Sequence, residues 1–560
     1  PDDPASRWIK GRILIPHVGA PYAMSMAKTC IEECVRTHTK CQAITTYPIG
    51  SAPLPTRLID CSNPDRLRIV ETKPGMRGLY VALSYVWGEP QPHRTTKANL
   101  TYYKVRIDSA ILPQTIRDAV WVTRALGIGW LWIDSICIIQ DSEKDIHQEL
   151  GRMRDVYRHA FLTIDAGSAA RVSDGFLQIR RLNPEPSACL PFVCPSHDHR
   201  VYPSAGNAQV GMIYWVPSDD PLKLVPEDDD WDYGTTSDRA WCLQERLLST
   251  LSLVFTSQTL QLRCHTHTQN VGGAYHDGLN DVPRLPEAIL LPNRSILRSS
   301  DEWEEICYRW RNIVGDYTQR SLSNPSDKLV ALSALAELFA PTLGPDYLAG
   351  LWRDTLLYDL LWMPRLTSAA RPIRRYAHAP SWSWASYDGG VEFPNRLGSG
   401  RVSAKVIKCT VNLQNKNLPF GEVAGGSLVL AARLIPCKWD GSDSIDSKRA
   451  LDRGQESAYR SVKIGPWAPR LSSSTEDDHL VFAFRTDCDD DEALHEMWFI
   501  PLLEMTGEGV AGLVITRAGR DESDRRREVY RRVGFWDFWA PHAMDVIRQW
   551  QYPKEAIELV

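Results

Sequence analysis

The chain has 560 residues, enough for roughly two to four domains and a sizeable hydrophobic core. Its net charge of −5 creates no global basic field, so the composition predicts no nucleic-acid partner. The longest apolar stretch, residues 126–139, is shorter than the about 20 residues that cross a bilayer, so we expect no membrane span.

The cysteines and one helix-like segment, residues 22–38, dominate the N-terminal lead-in (1–77). The 13 cysteines are scattered without a disulfide-framework spacing, which predicts reduced thiols and a cytoplasmic location. Cys30, Cys34, His38 and Cys41 resemble a set of zinc ligands. On a continuous helix, however, Cys30 and Cys41 would lie roughly 16 Å apart, too far to share one ion. Only Cys34 and His38 could share an ion directly, so we expect helix packing and no metal.

From residue 79 the pattern alternates between strands and helices. Apolar and β-branched runs predict strands at 79–87, 130–139 and 161–166, and helical periodicity predicts helices at 113–126 and 146–160. This order implies right-handed crossovers and a parallel sheet. Residues 171–238 interrupt this alternation of strands and helices and are interpreted as an insertion. The acidic run at 227–230 within the insertion is interpreted as a solvated loop. A helix at 239–248 and a strand at 251–256 follow.

The second half of the chain changes from helical to β-rich. Residues 266–375 are predicted to be mostly helical and residues 376–560 to be β-rich. Candidate strands in the β-rich part are 401–411, 428–434, 480–484, 498–503 and 510–516. Arg531 and Arg532 lie in a run of charged residues that indicates a solvated surface.

Three segments resemble a known family. They read ALSYVWG at 82–88, LWIDSICI at 131–138 followed by Gln140 and Asp141, and RAWCLQER at 239–246. In this order they resemble the signature blocks of the heterokaryon-incompatibility (HET) domain of filamentous fungi, placed here at 78–265. Segments around 310–329 and 379–386 resemble the flanks of HET proteins. The resemblance implies an effector of allorecognition or programmed cell death.

The third segment also resembles Toll/interleukin-1 receptor (TIR) domains. Their first strand ends in a Ser-Tyr-like pair, as at Ser84 and Tyr85, and a later helix carries Trp-Cys-x-x-Glu, as at 241–245. In the TIR domains that cleave NAD, the glutamate at this position is catalytic, and the matching residue is Glu245. The insertion at 171–238 departs from the TIR pattern. The expected fold is α/β, with a parallel-sheet (TIR/flavodoxin-like) HET core, helical flanks and a β-rich C-terminal region.

The strand ends predict a site independently of either family. Ligands of doubly wound sheets bind beyond the carboxyl ends of the strands, where polar and small residues collect here. Asp134 falls within an apolar run, so a buried carboxylate with a cationic partner is expected, and Arg239 is the named partner. A structural ion pair and a catalytic role both remain open for Asp134, as do a helix-terminal salt bridge and a catalytic role for Glu245. The predicted site comprises Glu245 and Asp134 as catalytic residues, and Ser84, Tyr85, Trp87, Gly88, Gln140, Asp141, Arg239 and Trp241 as ligand-binding residues.

Other candidates are weaker. Cys137 is interpreted as a core thiol, and Cys264, His265 and His267 as ordinary residues at a strand end rather than metal ligands. No resident cofactor is predicted, and NAD enters only as a substrate. Two alternatives remain open: an enzyme of small-metabolite chemistry on the same scaffold, with an apolar pocket enclosed near Trp382 and Trp384, and a non-enzymatic module that binds other HET or signalling proteins.

Overall fold

The computed structural model describes residues 3–9, 12, 14–181, 188–194, 209–215, 234–274, 284–291, 296–365, 379–394, 401–443, 459–464, 481–486, 496–505, 509–520, 528–538 and 552–560. These residues form two compact units, 1–292 and 293–560. The architecture is mixed α/β, with a large mixed sheet in the first unit and a β-rich region towards the C-terminus. The acidic run predicted at 227–230 lies outside the described residues. The finer division of the chain into four segments remains a prediction.

In the first unit, helices and strands alternate through the middle of the chain. The helices are α1 (Pro21–Thr37), α2 (Thr39–Ile44), α3 (Leu100–Val105), α4 (Gln114–Ala125), α5 (Asp134–Cys137), α6 (Glu143–Leu150), α7 (Met153–His159), α8 (Ala240–Leu248) and α9 (Glu287–Leu290). The strands are β1 (Arg57–Asp60), β2 (Arg68–Glu71), β3 (Val81–Ser84), β4 (Trp130–Trp132), β5 (Leu162–Asp165), β6 (Ala188–Val193), β7 (Val210–Trp215), β8 (Leu251–Phe255), β9 (Leu260–Cys264) and β10 (Thr268–Asn270).

Eight of these strands form one sheet in the order β10-β9-β8-β5-β3-β4-β1-β2. The predicted parallel pairing is confirmed: β3 pairs parallel with β4 and with β5, and β5 pairs parallel with β8. Every residue of β3 and β5 is buried, as expected of parallel strands covered on both faces. The sheet as a whole is mixed, because β1 and β2 at one edge and β9 and β10 at the other are antiparallel.

Two sequence predictions in this unit are wrong in detail. The run at 130–139 is a strand only as far as Trp132. Asp134 opens the short helix α5, with its Oδ1 accepting a hydrogen bond from Ser135 N at 2.6 Å. Ile136 and Cys137 are buried within that helix, and a short apolar run does not distinguish a buried helical turn from a strand. The helix predicted at 146–160 is divided into α6 and α7, and α6 ends at the C-cap Gly151.

The assumption of one continuous helix through Cys41 is also wrong. Helix α1 ends at Thr37, His38 has an extended backbone with φ −84° and ψ 97°, and α2 begins at Thr39. The Gln42 side chain donates to the carbonyl oxygens of Val35 and Arg36, each at 3.0 Å. It thereby satisfies acceptors that the end of α1 leaves free, and α2 folds back towards α1.

The second unit contains the helical and β-rich regions that the sequence predicts. The helices are α10 (Asp301–Thr318), α11 (Ser333–Leu343) and α12 (Leu356–Asp359). The strands are β11 (Tyr347–Leu348), β12 (Leu351–Trp352), β13 (Met363–Pro364), β14 (Val391–Glu392), β15 (Arg401–Val402), β16 (Lys405–Leu413), β17 (Val423–Arg433), β18 (Ile435–Asp443), β19 (Tyr459–Ile464), β20 (Val481–Thr486), β21 (Met497–Met505), β22 (Gly509–Arg520), β23 (Glu528–Phe538) and β24 (Lys554–Leu559). Strands β15 to β24 form a ten-stranded sheet.

Arg532 corrects the prediction of a solvated surface on β23. Its side chain is fully buried, and the guanidinium carbon lies 3.5 Å from the centre of the Trp362 ring. The guanidinium donates to the carbonyl oxygen of Leu360 at 2.6 Å and to that of Trp362. Stacking on an aromatic ring combined with hydrogen bonds compensates for removing the charge from water. Trp382 and Trp384 are likewise fully buried core residues.

Candidate functional site

The candidate site lies at the carboxyl ends of the parallel strands. Strand β3 lies between β4 and β5, so the chain leaves β3 towards β4 on one side and returns to β5 on the other. Such a reversal of strand order opens a crevice beyond the carboxyl ends of an α/β sheet. Ser84 at the end of β3 pairs in register with Asp165 at the end of β5. Because β3 and β4 are parallel neighbours, the first and second predicted motifs, which these strands contain, reach the same edge of the sheet.

Asp134 receives hydrogen bonds from neutral donors. Trp87 Nε1 donates to Asp134 Oδ2 at 2.9 Å, and the Ser135 amide donates to Oδ1. Part of the residue reaches the surface, but burial of the carboxyl raises its pKa, and the hydrogen bonds from Trp87 and Ser135 offset part of the increase. Arg239, the predicted partner, is instead the residue that precedes α8, where it is half-buried.

Glu245 lies in α8 and is buried. Burial, reinforced by the nearby carboxylates of Asp134 and Asp165, raises the pKa of the Glu245 carboxyl to about 8, although the Ser84 and Tyr157 hydroxyls offset part of the increase. Among the residues that the structure describes, neither Glu245 Oε2 nor Ser84 Oγ has a hydrogen-bond partner. Ser84 is thus close to the carboxyl without being aligned for a hydrogen bond. The carboxyl is a proton carrier whose pKa lies near neutral pH.

Three members of the cluster were not among the predicted site residues. Asp165 Oδ1 accepts a hydrogen bond from Thr236 Oγ1 at 2.9 Å. Tyr157, on α7, donates to the carbonyl oxygen of Leu83 at 3.0 Å. The sequence could indicate Asp165 as a site residue, because it is the polar last residue of a parallel strand. It could not indicate Thr236 and Tyr157, since only the tertiary fold brings them to this edge.

Tyr85 and Gln140 support the crevice from its β4 side. The Tyr85 hydroxyl donates to Ser135 Oγ at 2.8 Å. Gln140 Nε2 donates to the carbonyl oxygens of Asp134 and Ile138, at 3.0 and 3.2 Å. Both residues therefore hold the α5 segment that carries Asp134.

The remaining predicted binding residues are Trp241, Asp141 and Gly88. Trp241 is half-buried in the first turn of α8, one helical turn before Glu245. Asp141 is exposed, and its Oδ1 accepts a hydrogen bond from Lys97 N at 2.8 Å. Gly88 is exposed with φ +64°, and a Cβ there would lie 2.5 Å from Ala170 O, so the loop after β3 closely approaches the loop after β5.

A cavity of about 410 Å³ lies at the opposite edge of the sheet. Its lining includes Leu79, Phe161 and Leu251, which precede or begin β3, β5 and β8. Tyr47 and His159 complete part of its wall. This cavity is therefore at the amino ends of the parallel strands, and it is not the apolar pocket beside Asp134 and Glu245 that a small-metabolite enzyme would require.

Cys137 is a buried core residue, as predicted. Burial raises the pKa of its thiol to about 12, so the thiol is protonated at neutral pH. Among the described residues, no helix is both long and apolar enough to cross a membrane.

These features define an α/β protein with a cluster of acidic residues at the carboxyl edge of its parallel strands. Residues 80–245 match the family model described as "Heterokaryon incompatibility protein (HET)". The chain therefore carries a HET domain, whose matched segment runs from β3 to Glu245 and occupies less than a third of the 560 residues. Comparisons with curated proteins and with solved structures find no significant match.

Proposed function

We propose that the HET domain acts in allorecognition or programmed cell death by TIR-like cleavage of a nucleotide, with NAD as the substrate. The family match supports a role in heterokaryon incompatibility. The parallel strands, numbered in chain order, lie in the order 2-1-3-4, an order shared with flavodoxin-like sheets, and this similarity supports a ligand site beside strand 1. Trp241 and Glu245 occupy the α8 positions that match the TIR motif.

The proposal rests on the burial, the unpaired carboxyl oxygen and the raised pKa of Glu245. Its carboxyl is buried, its Oε2 has no hydrogen-bond partner among the described residues, and its pKa is raised to about 8. An unpaired buried polar atom is costly to keep. A ligand that supplies a hydrogen-bond donor or a positive charge would offset this unfavourable free energy. The unpaired Oε2 therefore favours a functional role for Glu245 over a structural salt bridge.

NAD fits this requirement because its nicotinamide ring carries a positive charge. At neutral pH most of the Glu245 carboxyl is protonated, and an approaching cation favours the ionised form, so binding releases a proton. The bond between ribose C1′ and the ring nitrogen then breaks, and nicotinamide leaves as a neutral molecule with the bonding electron pair. The Glu245 carboxylate stabilises the positive charge that develops on the ribose, and water adds to C1′ with loss of a proton.

The test compares NAD consumption by the intact chain and by Glu245→Gln. Gln keeps the size of the side chain but cannot carry the charge, so turnover should fall by about 10²-fold or more. Glu143→Gln, an exposed change on α6, is the matched control and should retain full turnover. Melting curves of the three proteins show whether each is folded.

Two outcomes contradict the proposal. Equal turnover by Glu245→Gln and the unaltered chain assigns the activity to other residues. Absence of NAD consumption by a folded chain removes the enzymatic part and favours a module that signals by binding other proteins.

A further inference from the structure

Four potential metal ligands meet at the joint between α1, α2 and β9. The ligand atoms of Cys34, His38, Cys41 and Cys264 all lie within 4.8 Å of one another. Cys264 Sγ is 3.4 Å from His38 Nδ1, and Cys41 Sγ is 4.0 Å from the same nitrogen. Two atoms bound at about 2.0–2.3 Å to one tetrahedral ion lie roughly 3.5–3.8 Å apart. The two spacings from His38 lie close to that range, and small side-chain shifts would bring the remaining ligand atoms, at most 4.8 Å apart, into it.

The break between the two helices creates this arrangement. Cys34 lies in the last turn of α1, His38 at the joint and Cys41 in the first turn of α2. Cys264 is the last residue of β9, where its amide donates to the carbonyl oxygen of His267 at 3.0 Å across the turn to β10. Three ligands therefore come from one local C-x3-H-x2-C segment and the fourth from a hairpin far away in the sequence.

The surroundings suit thiolate ligands. Cys34 and Cys264 are buried, and the cysteines of the group are free thiols. The Thr266 hydroxyl is 3.2 Å from Cys41 Sγ, where it can donate to a thiolate. Arg284 donates to the carbonyl oxygen of Cys264 at 3.0 Å and places a positive charge beside the group. Three thiolates and one divalent ion carry a net charge of about −1, which this cation offsets.

We propose that Cys34, His38, Cys41 and Cys264 bind one zinc ion as a structural site. Four protein ligands of the Cys3His type leave no open coordination position, which is the hallmark of structural rather than catalytic zinc. Thiolate and imidazole ligands in tetrahedral geometry favour zinc over the harder cations Mg²⁺ and Ca²⁺. The ion fastens the N-terminal helices to the β9–β10 hairpin of the first unit.

The first experiment measures zinc in the full chain, produced with zinc in the medium, by elemental mass spectrometry. One zinc per chain is expected, and Cys264→Ser should lose it. Cys30→Ser is the matched control, because Cys30 lies on α1 but its thiol faces the Val271 carbonyl oxygen at 3.8 Å. His38→Cys should retain zinc through four thiolates, whereas His38→Ala should bind it weakly.

A second measurement keeps the proposal testable if the serine variant does not fold. The unaltered chain is stripped of metal with a chelator and titrated with Co²⁺, whose absorption reports tetrahedral thiolate coordination. Absence of that absorption overturns the proposal, as does a zinc-free chain or equal zinc in Cys264→Ser and Cys30→Ser. A disulfide within the group, detected by thiol titration without reductant, overturns it as well.

Discussion

The indole nitrogen of Trp87 donates to Asp134 Oδ2 at 2.9 Å and thereby joins the segment after β3 to the helix after β4. The first two predicted motifs are therefore physically connected, because each contributes one partner of this hydrogen bond. The partner of the acid is a neutral ring rather than the predicted cation. Loss of either partner accordingly removes one hydrogen bond to a charged group rather than a buried ion pair.

Trp87→Phe should destabilise the chain by about 1.5–3 kcal/mol, the usual contribution of a hydrogen bond to a charged group. Phenylalanine retains most of the apolar contact and removes the donor together with part of the ring system. Trp121→Phe, at a partly exposed position on α4, provides the matched control and should change stability little. Chemical denaturation of both variants measures the difference, and equal midpoints would show that the hydrogen bond contributes nothing.

Asp134→Asn should lower the pKa of Glu245, because the Asp134 charge raises it. Asparagine keeps the shape and an acceptor for Trp87 but has no charge. The pKa can be followed by NMR titration of the labelled Glu245 carboxyl in both proteins. An unchanged titration midpoint would mean that the two carboxyl groups are not electrostatically coupled.

Glu245 should make the folded chain less stable as the pH rises. Its folded pKa is about 8, above the usual 4.5, so its stabilising contribution is complete below about pH 4.5 and is lost as the pH rises to about 8. Glu245→Gln removes this dependence. Between these limits the unaltered chain should lose at most about 5 kcal/mol relative to the variant. Urea denaturation over this pH range tests the prediction, and parallel stability curves would contradict it.

Gly88→Ala should destabilise the chain more than Gly127→Ala. Both glycines have a positive φ, +64° and +83°, which costs alanine roughly 1–2 kcal/mol. A Cβ at Gly88 would also lie 2.5 Å from Ala170 O, whereas a Cβ at Gly127 would meet nothing within 4 Å. The clash should add roughly 1–3 kcal/mol. Comparable unfolding free energies for the two variants would show that the loops separate without cost.

The parallel core was predictable because its strands are apolar or β-branched runs separated by segments of helical periodicity. Residues 81–84 and 162–165 are buried at every position, and their polar residues Ser84 and Asp165 stand at the carboxyl ends. The antiparallel edges were not predicted, since β1 and β2 each begin and end with a charged residue and have only two apolar residues between them. The end of β4 was missed because Ile136 and Cys137 are as apolar in α5 as they would be in a strand.

The candidate site was predicted through its motifs and only partly through physics. Ser84 and Glu245 lie close together, while their roles stay predictions, and Asp134 was singled out as an acid in an apolar run. Its partner could not be chosen from sequence, because Trp87 and Arg239 are both far from Asp134 along the chain and only the fold brings Trp87 to it. The cysteine cluster was rejected for a definite physical reason, the length of a continuous helix, and the extended backbone at His38 removes that reason.

The antiparallel strands at the two edges of the eight-stranded sheet limit how another chain can attach to it. In the described residues the outermost strands, β2 and β10, have four and three residues. Such short edges expose few unpaired amide and carbonyl groups, so they are poor templates for strand addition by a partner. The parallel strands that carry the acidic cluster are shielded from that mode of assembly altogether. We therefore expect a partner of this sheet to be recognised through side chains on the neighbouring helices and loops.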